Sequence, residues 1–276
     1  MKTKMLDRLF FILILGFSAV FIFPVFIVLI NSFKQKFSIA SSPFTLPDSN
    51  TFAGISNFAQ GISNTGFLSA FLWSLFITVT SVAVIVIFTS MTAWYIIRVK
   101  SRFNSMLYYA LVFSMIVPFQ MVMFTMSKTA NVLGLDNPLG IILIYLGFGA
   151  GLSVFMFSGF IKTVPKGVEE AATIDGCNTF QVYWKVVFPI LKPTAITVAI
   201  LNTMWIWNDY LLPYLVIGND YKTIPIAIQY LKGGYGSVDM GAMMAMLVLS
   251  IIPVIVFYLL SQKYIIKGVA SGAVKG

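Results

Sequence analysis

The chain alternates between long apolar runs and short polar connections. Six of the runs are long enough to cross a membrane, because a hydrocarbon core of about 30 Å requires roughly 20 apolar helical residues. The predicted spans cover approximately residues 9–31, 67–97, 107–126, 139–161, 190–217 and 242–260. This pattern predicts an all-α membrane protein with six transmembrane helices.

Composition supports a membrane environment. The chain is 59% hydrophobic and 10% charged, which is more apolar surface than a soluble domain of 276 residues could bury. No internal repeat or low-complexity segment interrupts the pattern, so residues 1–276 are predicted to form a single transmembrane domain. The first span lacks a small-residue cleavage site, and we expect it to be retained.

The basic residues indicate the orientation, because positively charged connections resist translocation. Thirteen lie on one side of the spans and five on the other. The first group is Lys2, Lys4, Arg8, Arg98, Lys100, Arg102, Lys162, Lys166, Lys185, Lys192, Lys263, Lys267 and Lys275; the second is Lys34, Lys36, Lys128, Lys222 and Lys232. Both termini are therefore predicted to be cytoplasmic. Topology also accounts for the net charge of +9, and no nucleic-acid partner is expected.

The connection between spans four and five, residues 163–193, carries the signals of two short helices. In the first, Thr163 precedes Pro165, Glu169 and Glu170 fall in the first turn, and Gly176 can adopt the left-handed conformation that ends a helix. In the second helix, residues 178 and 181 form a candidate capping box, and the helical run 180–188 ends at a proline.

The first of these helices needs a docking surface. Its length of about ten residues is below the roughly 12 to 15 at which an isolated helix becomes marginally stable in water. The membrane interface is one candidate surface, and it suits the aromatic second helix. A partner protein is favoured for the first helix, because its acidic residues oppose an anionic leaflet and Ala171 and Ala172 permit close approach.

The same residues carry a resemblance to a known family. Glu170-Ala171-Ala172, Asp175-Gly176, Pro189 and Pro193 together resemble the EAA loop of ATP-binding-cassette importer permeases. The similarity extends to Val117-Pro118-Phe119-Gln120, to Trp207-Asn208-Asp209-Tyr210-Leu211-Leu212-Pro213, and to the tail segments 262–268 and 272–276. The chain looks like a member of the carbohydrate branch, specifically the shorter, maltose-type second permease.

The resemblance implies partners and contact residues. The first loop helix would be the coupling helix, contacting a cytoplasmic ATPase dimer through Glu169, Glu170, Ala171, Ala172, Asp175 and Gly176. The cytoplasmic tail, 261–276, would add a second contact at Gly272, Lys275 and Gly276. The remaining implied partners are a second homologous permease, an extracytoplasmic solute-binding protein and a sugar. The implied location is a bacterial or archaeal cytoplasmic membrane.

Enzymatic chemistry is not expected in this chain. It has no histidine and one cysteine, so neither the commonest general base nor a thiolate metal cluster is available. It also lacks the Gly-x-x-x-x-Gly-Lys-Ser/Thr loop that holds nucleotide phosphates. We therefore predict no catalytic residue, metal or bound cofactor here, and expect ATP and Mg²⁺ in the partner ATPase.

An ion-coupled secondary transporter or a channel subunit is the alternative from another class. Such carriers place carboxylates near the middle of the membrane. Here Asp209 lies about 28 Å along span five, counted at 1.5 Å per residue from position 190, which puts it at the outer edge. That position disfavours ion coupling.

Five residues are candidates for lining the substrate path, because sugars are bound by planar polar groups and by aromatic faces. They are Gln120, Asn202, Trp205, Asn208 and Asp209. Hydrogen bonding between helices and anchoring at the membrane interface are equally open roles for each of them.

Overall fold

The computed structural model describes the chain at residues 2–231 and 239–273, with side chains described at 6–231 and 239–264. Within these ranges the regular elements are helical, and one isolated bridge pairs Lys34 with Phe52. Residues Tyr183–Val187 form a π-helical turn. The helices are α1 (Lys2–Asn31), α2 (Lys36–Ser41), α3 (Ser56–Thr65), α4 (Phe67–Arg98), α5 (Arg102–Ser114), α6 (Phe119–Val132), α7 (Pro138–Ile161), α8 (Gly167–Ile174), α9 (Thr179–Val182), α10 (Phe188–Asn208), α11 (Leu211–Val216), α12 (Ile224–Gln229) and α13 (Met240–Ala273).

The described helices confirm the all-α membrane class. Five of them are long and apolar enough to cross a membrane, and the count reaches six if the bent pair α5 and α6 forms one span. The five lie within Leu6–Asn31, Phe67–Arg98, Pro138–Ile161, Thr179–Asn208 and Met240–Tyr264.

The predicted third span, 107–126, is not one continuous helix. α5 ends at Ser114, α6 begins at Phe119, and the two axes differ by 108°. Pro118 accounts for the break, because it has no backbone N–H and disfavours helical geometry at the residue before it. It takes an extended conformation, with φ −62° and ψ 135°. The sequence motif at 117–120 thus marks a corner between two helices.

The predicted end of the second loop helix at Pro189 is also wrong. The helical segment that begins at Thr179 continues through the π turn into α10, with Pro189 in the first turn of α10. In a regular α-helix the proline ring would clash with the carbonyl four residues earlier. The wider π turn directly before it changes that geometry, so the chain passes the proline without a break. The second loop helix and span five therefore form one continuous helical segment.

The described residues group into two compact units, and the first takes in residues within Met1–Ala70 and Ala227–Ile255. Its connection after α1 is folded around Lys34, whose side chain is fully buried. The Lys34 Nζ donates to the Ser42 carbonyl at 2.8 Å, and the Asn57 side-chain amide donates to the Ser32 and Lys34 carbonyls. Burial lowers the pKa of Lys34, while the nearby charge of Asp48 opposes that shift. This loop is thus an ordered structure.

The second unit takes in residues within Phe71–Ile226 and Val256–Gly276 and contains an extended apolar core. Fully buried side chains from α4, α7 and α10 meet there, among them Ile85, Ile141 and Leu191. α5 packs against α7 at Gly151, where an added Cβ would lie 2.6 Å from the Leu111 carbonyl oxygen. Only a glycine permits that approach.

Candidate functional site

The short helix α8, predicted as the first loop helix, has Glu169 and Glu170 in its first turn and ends at Gly176, both as expected. Gly176 follows it with a φ of +87°, and the Cys177 N–H donates back to the Ala172 carbonyl at 3.0 Å. Thr163 does not cap its start. The Thr163 hydroxyl donates to the Phe160 carbonyl at the end of α7 instead, and Lys166 occupies the cap position without a side-chain hydrogen bond.

The capping box of the second loop helix is confirmed. The Asn178 side chain accepts from the Gln181 N–H at 2.9 Å, and the Gln181 side chain accepts from the Asn178 N–H at 3.0 Å. Because these bonds are made between residues three apart, they orient the start of α9 without help from the rest of the fold.

A latch of three side chains, Trp94, Arg98 and Glu169, joins α8 to the end of α4. The Arg98 Nη2 lies 2.6 Å from the Glu169 Oε1, and the Arg98 Nε donates to the same oxygen at 2.8 Å. The Trp94 indole N–H donates to the Glu169 Oε2 at 3.0 Å, so both carboxylate oxygens are bound. Arg98 also donates to the Val164 carbonyl at 3.0 Å. The Arg98 and Glu169 side chains are 14% and 13% exposed, which limits the screening of their charges by water.

A second connection to α4 is made next to α8 by Tyr183, which contacts Ser90 and Trp94. The Tyr183 hydroxyl, in the π turn, lies 2.7 Å from the Ser90 hydroxyl, and both residues are buried. The Tyr183 ring also packs against Trp94, with centroids 5.5 Å apart. α8, the π turn and the end of α4 are therefore held together by buried polar and aromatic contacts.

The outer surface of α8 is open. Glu170, Ala171, Asp175 and Gly176 are exposed, and the Ile174 side chain is 86% exposed. A cavity of about 450 Å³ lies beside the helix, lined in part by Glu170, Thr173, Ile174 and Thr179. Ile174 therefore adds an apolar side chain to the mostly polar outer surface of α8.

The candidate path residues fall into separate places. Trp205 and Asp209 both contact Tyr145, whose hydroxyl donates to the Asp209 carboxylate at 3.2 Å and whose ring meets Trp205 edge-on. The other Asp209 oxygen accepts from the Leu211 N–H, at the start of α11, at 3.0 Å. Asn208 is exposed and donates back to the Met204 carbonyl.

Asn202 and Gln120 do not belong to the group around Tyr145. Asn202 is buried, and its amide donates to the Val198 carbonyl at 2.9 Å and to the Ser153 hydroxyl of α7 at 3.3 Å. These contacts favour the helix-packing role for Asn202. Gln120 is exposed in the first turn of α6, just past the corner at Pro118.

Comparisons with known proteins agree with this architecture. Residues 85–271 match the family described as binding-protein-dependent transport system inner membrane component. The chain belongs to this family.

Curated relatives of this permease cover nearly its whole length. It is 39% identical to the probable starch degradation products transport system permease protein AmyC of Thermoanaerobacterium thermosulfurigenes, over 94% of this chain and 93% of that protein. It is 36% identical to the multiple sugar-binding transport system permease protein MsmG of Streptococcus mutans, over 91% of each chain. It is 32% identical to the melibiose/raffinose/stachyose import permease protein MelC of Bacillus subtilis, over 92% of this chain and 91% of that one.

A solved structure has the same fold as this permease. It is the crystal structure of a bacterial ABC transporter involved in the import of the acidic polysaccharide alginate. One of its chains superimposes with a TM-score of 0.78 at 22% identity, covering 95% of this chain and 96% of that chain. At this level of identity the similarity bears on the fold alone.

The predicted coupling residues of the permease divide by orientation. Glu169 and Ala172 face inward, Glu169 into the latch and Ala172 into the core, whereas Glu170, Ala171, Asp175 and Gly176 are exposed. For the predicted tail contact, Gly272 lies in the last turns of α13, and Lys275 and Gly276 lie outside the described residues.

Three residues of these sites were missed by sequence reasoning. The sequence pattern gives Arg98 only a topological role and indicates no role for Trp94 or Tyr145. Trp94 and Arg98 are four residues apart at the end of a predicted span, so they lie on one helix face. That spacing was a usable signal, but their partner Glu169 is 71 residues from Arg98 and could not be assigned from it.

Proposed function

We propose that this permease is a membrane subunit of an ATP-driven importer of sugars or oligosaccharides. It would form the path together with a second, homologous permease and receive substrate from an extracytoplasmic binding protein. The observation that carries the coupling part of the proposal is α8, a short helix with an open outer surface and an inner surface fixed to α4. Support for the substrate class comes from relatives described as carrying starch degradation products and raffinose-type sugars.

The exposed residues of α8 are the proposed contact with a cytoplasmic ATPase dimer. Glu170, Asp175 and Ile174 would meet a groove on that protein, and the ATP and Mg²⁺ would be bound there. This chain is proposed to have no catalytic or cofactor role of its own. The tail, with Gly272, Lys275 and Gly276, is proposed as a second contact, and the membrane is proposed to be the cytoplasmic membrane of a bacterium or archaeon.

The latch extends the proposed coupling route beyond spans four and five. If closure of the ATPase dimer moves α8, the ion pair between Arg98 and Glu169 carries that displacement into α4. The continuous helical segment from α9 through α10 carries the same displacement into span five. A two-state change of access needs such rigid connections between the driven element and the path.

Sugar binding is proposed for the group around Tyr145, Trp205 and Asp209. Trp205 is 39% exposed, so its ring offers a surface on which a sugar can stack. The Asp209 carboxylate is already bound by Tyr145 and by the start of α11, so Asp209 is proposed to orient these neighbours. Gln120 and Asn208, both exposed, remain proposed lining residues.

The test is to purify the permease with its co-purifying chains, identify them, and reconstitute the assembly in sealed vesicles. Labelled starch-derived and raffinose-type oligosaccharides are offered together with the binding protein. We expect uptake with ATP on the ATPase side and none with a proton or sodium gradient alone. Uptake driven by an ion gradient without ATP would instead support the secondary-transporter class.

A further inference from the structure

A basic cavity, lined by Lys100, Ser101, Ser105, Tyr108, Tyr109 and Lys162, lies where three helix ends meet. It has a volume of about 430 Å³ and is built by the end of α4, the start of α5 and the residue after α7. Ile96 and Ile97 complete the lining and make part of it apolar. None of the functions proposed above uses this cavity.

The cavity has the chemistry of an anion site. Neither Lys100 nor Lys162 forms an ion pair with a carboxylate in the described part of the chain, and no acidic residue lines the cavity. The Lys162 Nζ lies 5.7 Å from the centre of the Tyr108 ring, which places that ammonium at the cavity wall. α5 begins at the cavity, with Ser101 as its cap, so the positive end of the helix dipole adds to the field.

The surface next to the cavity is apolar, which indicates that the bound anion is part of an amphiphile. From the cavity, α5 continues with Phe103, Met106 and Tyr109, which are 64%, 65% and 69% exposed. Because these residues recur every third position, they share one face of the helix. An amphiphile with an anionic head in the cavity would lay its chains along this apolar face.

We propose that this cavity binds a phosphate group, presented by the headgroup of an anionic phospholipid. Basic pockets between membrane helices at the cytoplasmic side suit such headgroups. The inference goes beyond the proposed transport function and takes from it only the orientation, in which this end of the bundle faces the cytoplasm. The lipid would join the ends of α4, α5 and α7, next to the latch residue Arg98.

The test uses the purified permease with its co-purifying chains, stripped of lipid in a neutral detergent. Native mass spectrometry then follows titration with phosphatidylglycerol and with phosphatidylcholine of identical acyl chains. We expect the wild-type assembly to bind one phosphatidylglycerol more tightly than phosphatidylcholine. In the double variant Lys100→Gln/Lys162→Gln, phosphatidylglycerol should bind roughly 30-fold more weakly, since each lysine near a charged headgroup contributes about fivefold.

The control variant Lys185→Gln/Lys192→Gln removes two exposed lysines predicted to lie on the same side of the membrane, and neither lines the cavity. It should keep the tight phosphatidylglycerol site. A charge-preserving variant, Lys100→Arg/Lys162→Arg, should also keep it. Unchanged phosphatidylcholine binding and unchanged co-purification show that the glutamine variant is folded.

Inorganic phosphate and glycerol 1-phosphate separate a lipid from a soluble phosphate compound. Displacement of phosphatidylglycerol by either at comparable concentration would overturn the lipid assignment. Equal losses in the cavity and control variants, or no loss in the cavity variant, would overturn the site itself. The assay needs neither ATP nor sugar, so its outcome does not depend on whether the proposed transport function holds.

Discussion

Gly176 has a backbone conformation that few other residues tolerate. Its φ of +87° allows α8 to stop and the chain to turn into α9, and open space surrounds the position where a Cβ would be. A substitution there is therefore strained by its backbone and not by its neighbours. The cost of holding a non-glycine residue in such a conformation is of order 1–3 kcal/mol.

Gly176→Val should uncouple the permease, because a β-branched residue disfavours the left-handed turn and displaces the end of α8. We expect uptake to fall at least tenfold while ATP hydrolysis falls less, measured in parallel on reconstituted vesicles. Gly176→Asn should retain most uptake, since asparagine tolerates this conformation. Gly167→Ala, in the same helix without a positive φ, should be neutral. Undiminished transport by Gly176→Val would contradict the coupling role of α8.

The adjacent residues Glu169 and Glu170 have different proposed roles in α8, one in the latch and one in the contact with the ATPase. Glu169 is held by Arg98 and Trp94, while Glu170 is exposed. Hydrogen bonds to charged groups contribute about 1.5–3 kcal/mol each, so Glu169→Gln should lower the thermal midpoint of the isolated permease in detergent. Glu170→Gln should leave that midpoint unchanged and reduce the amount of ATPase that co-purifies.

The two glutamine variants control for each other, because each removes one negative charge from the same turn. If both weakened the isolated permease equally, the latch would contribute nothing specific. If neither altered ATPase recovery, the exposed face of α8 would not be the docking surface. Trp94→Phe keeps an aromatic side chain but removes the indole donor and part of the ring surface, and it should reproduce part of the Glu169→Gln effect.

Local signals explain which elements were predictable from the sequence. The capping box at Asn178 and Gln181 and the stop at Gly176 depend on residues within three positions, and both are confirmed. A proline such as Pro118 allows a helix to bend, but proline chemistry does not distinguish a kink from a corner of 108°. The sequence predicts a helix end at Pro189, and a π turn accommodates this proline instead.

Contacts between distant residues were not predictable. The latch joins α4 to α8, and the Tyr145 contact with Asp209 joins residues 64 positions apart. A hydrophobic pattern reports which face of a helix is buried, but not which side chain of another helix lies opposite. These pairs therefore became visible only in the folded chain.

The whole chain presents an apolar surface that lipid or protein must cover. Within the most apolar part of α1, no residue is buried within the chain. The corresponding parts of α4 and α7 are 33% and 44% buried. α1 is thus the helix with the most surface left for lipid or for the proposed second permease.

The predicted orientation can be tested with engineered cysteines. Cys177 is the only native cysteine, so Cys177→Ser gives a background in which one new thiol can be followed. Arg102→Cys and Asp220→Cys lie at exposed positions on opposite predicted sides of the membrane.

In right-side-out vesicles a membrane-impermeant maleimide should label position 220 and spare position 102, because the side richer in lysine and arginine stays in the cytoplasm. Inside-out vesicles should give the opposite pattern, and detergent should make both positions reactive. Labelling of position 102 from the outside would reverse the topology and place α8 where no cytoplasmic ATPase could reach it.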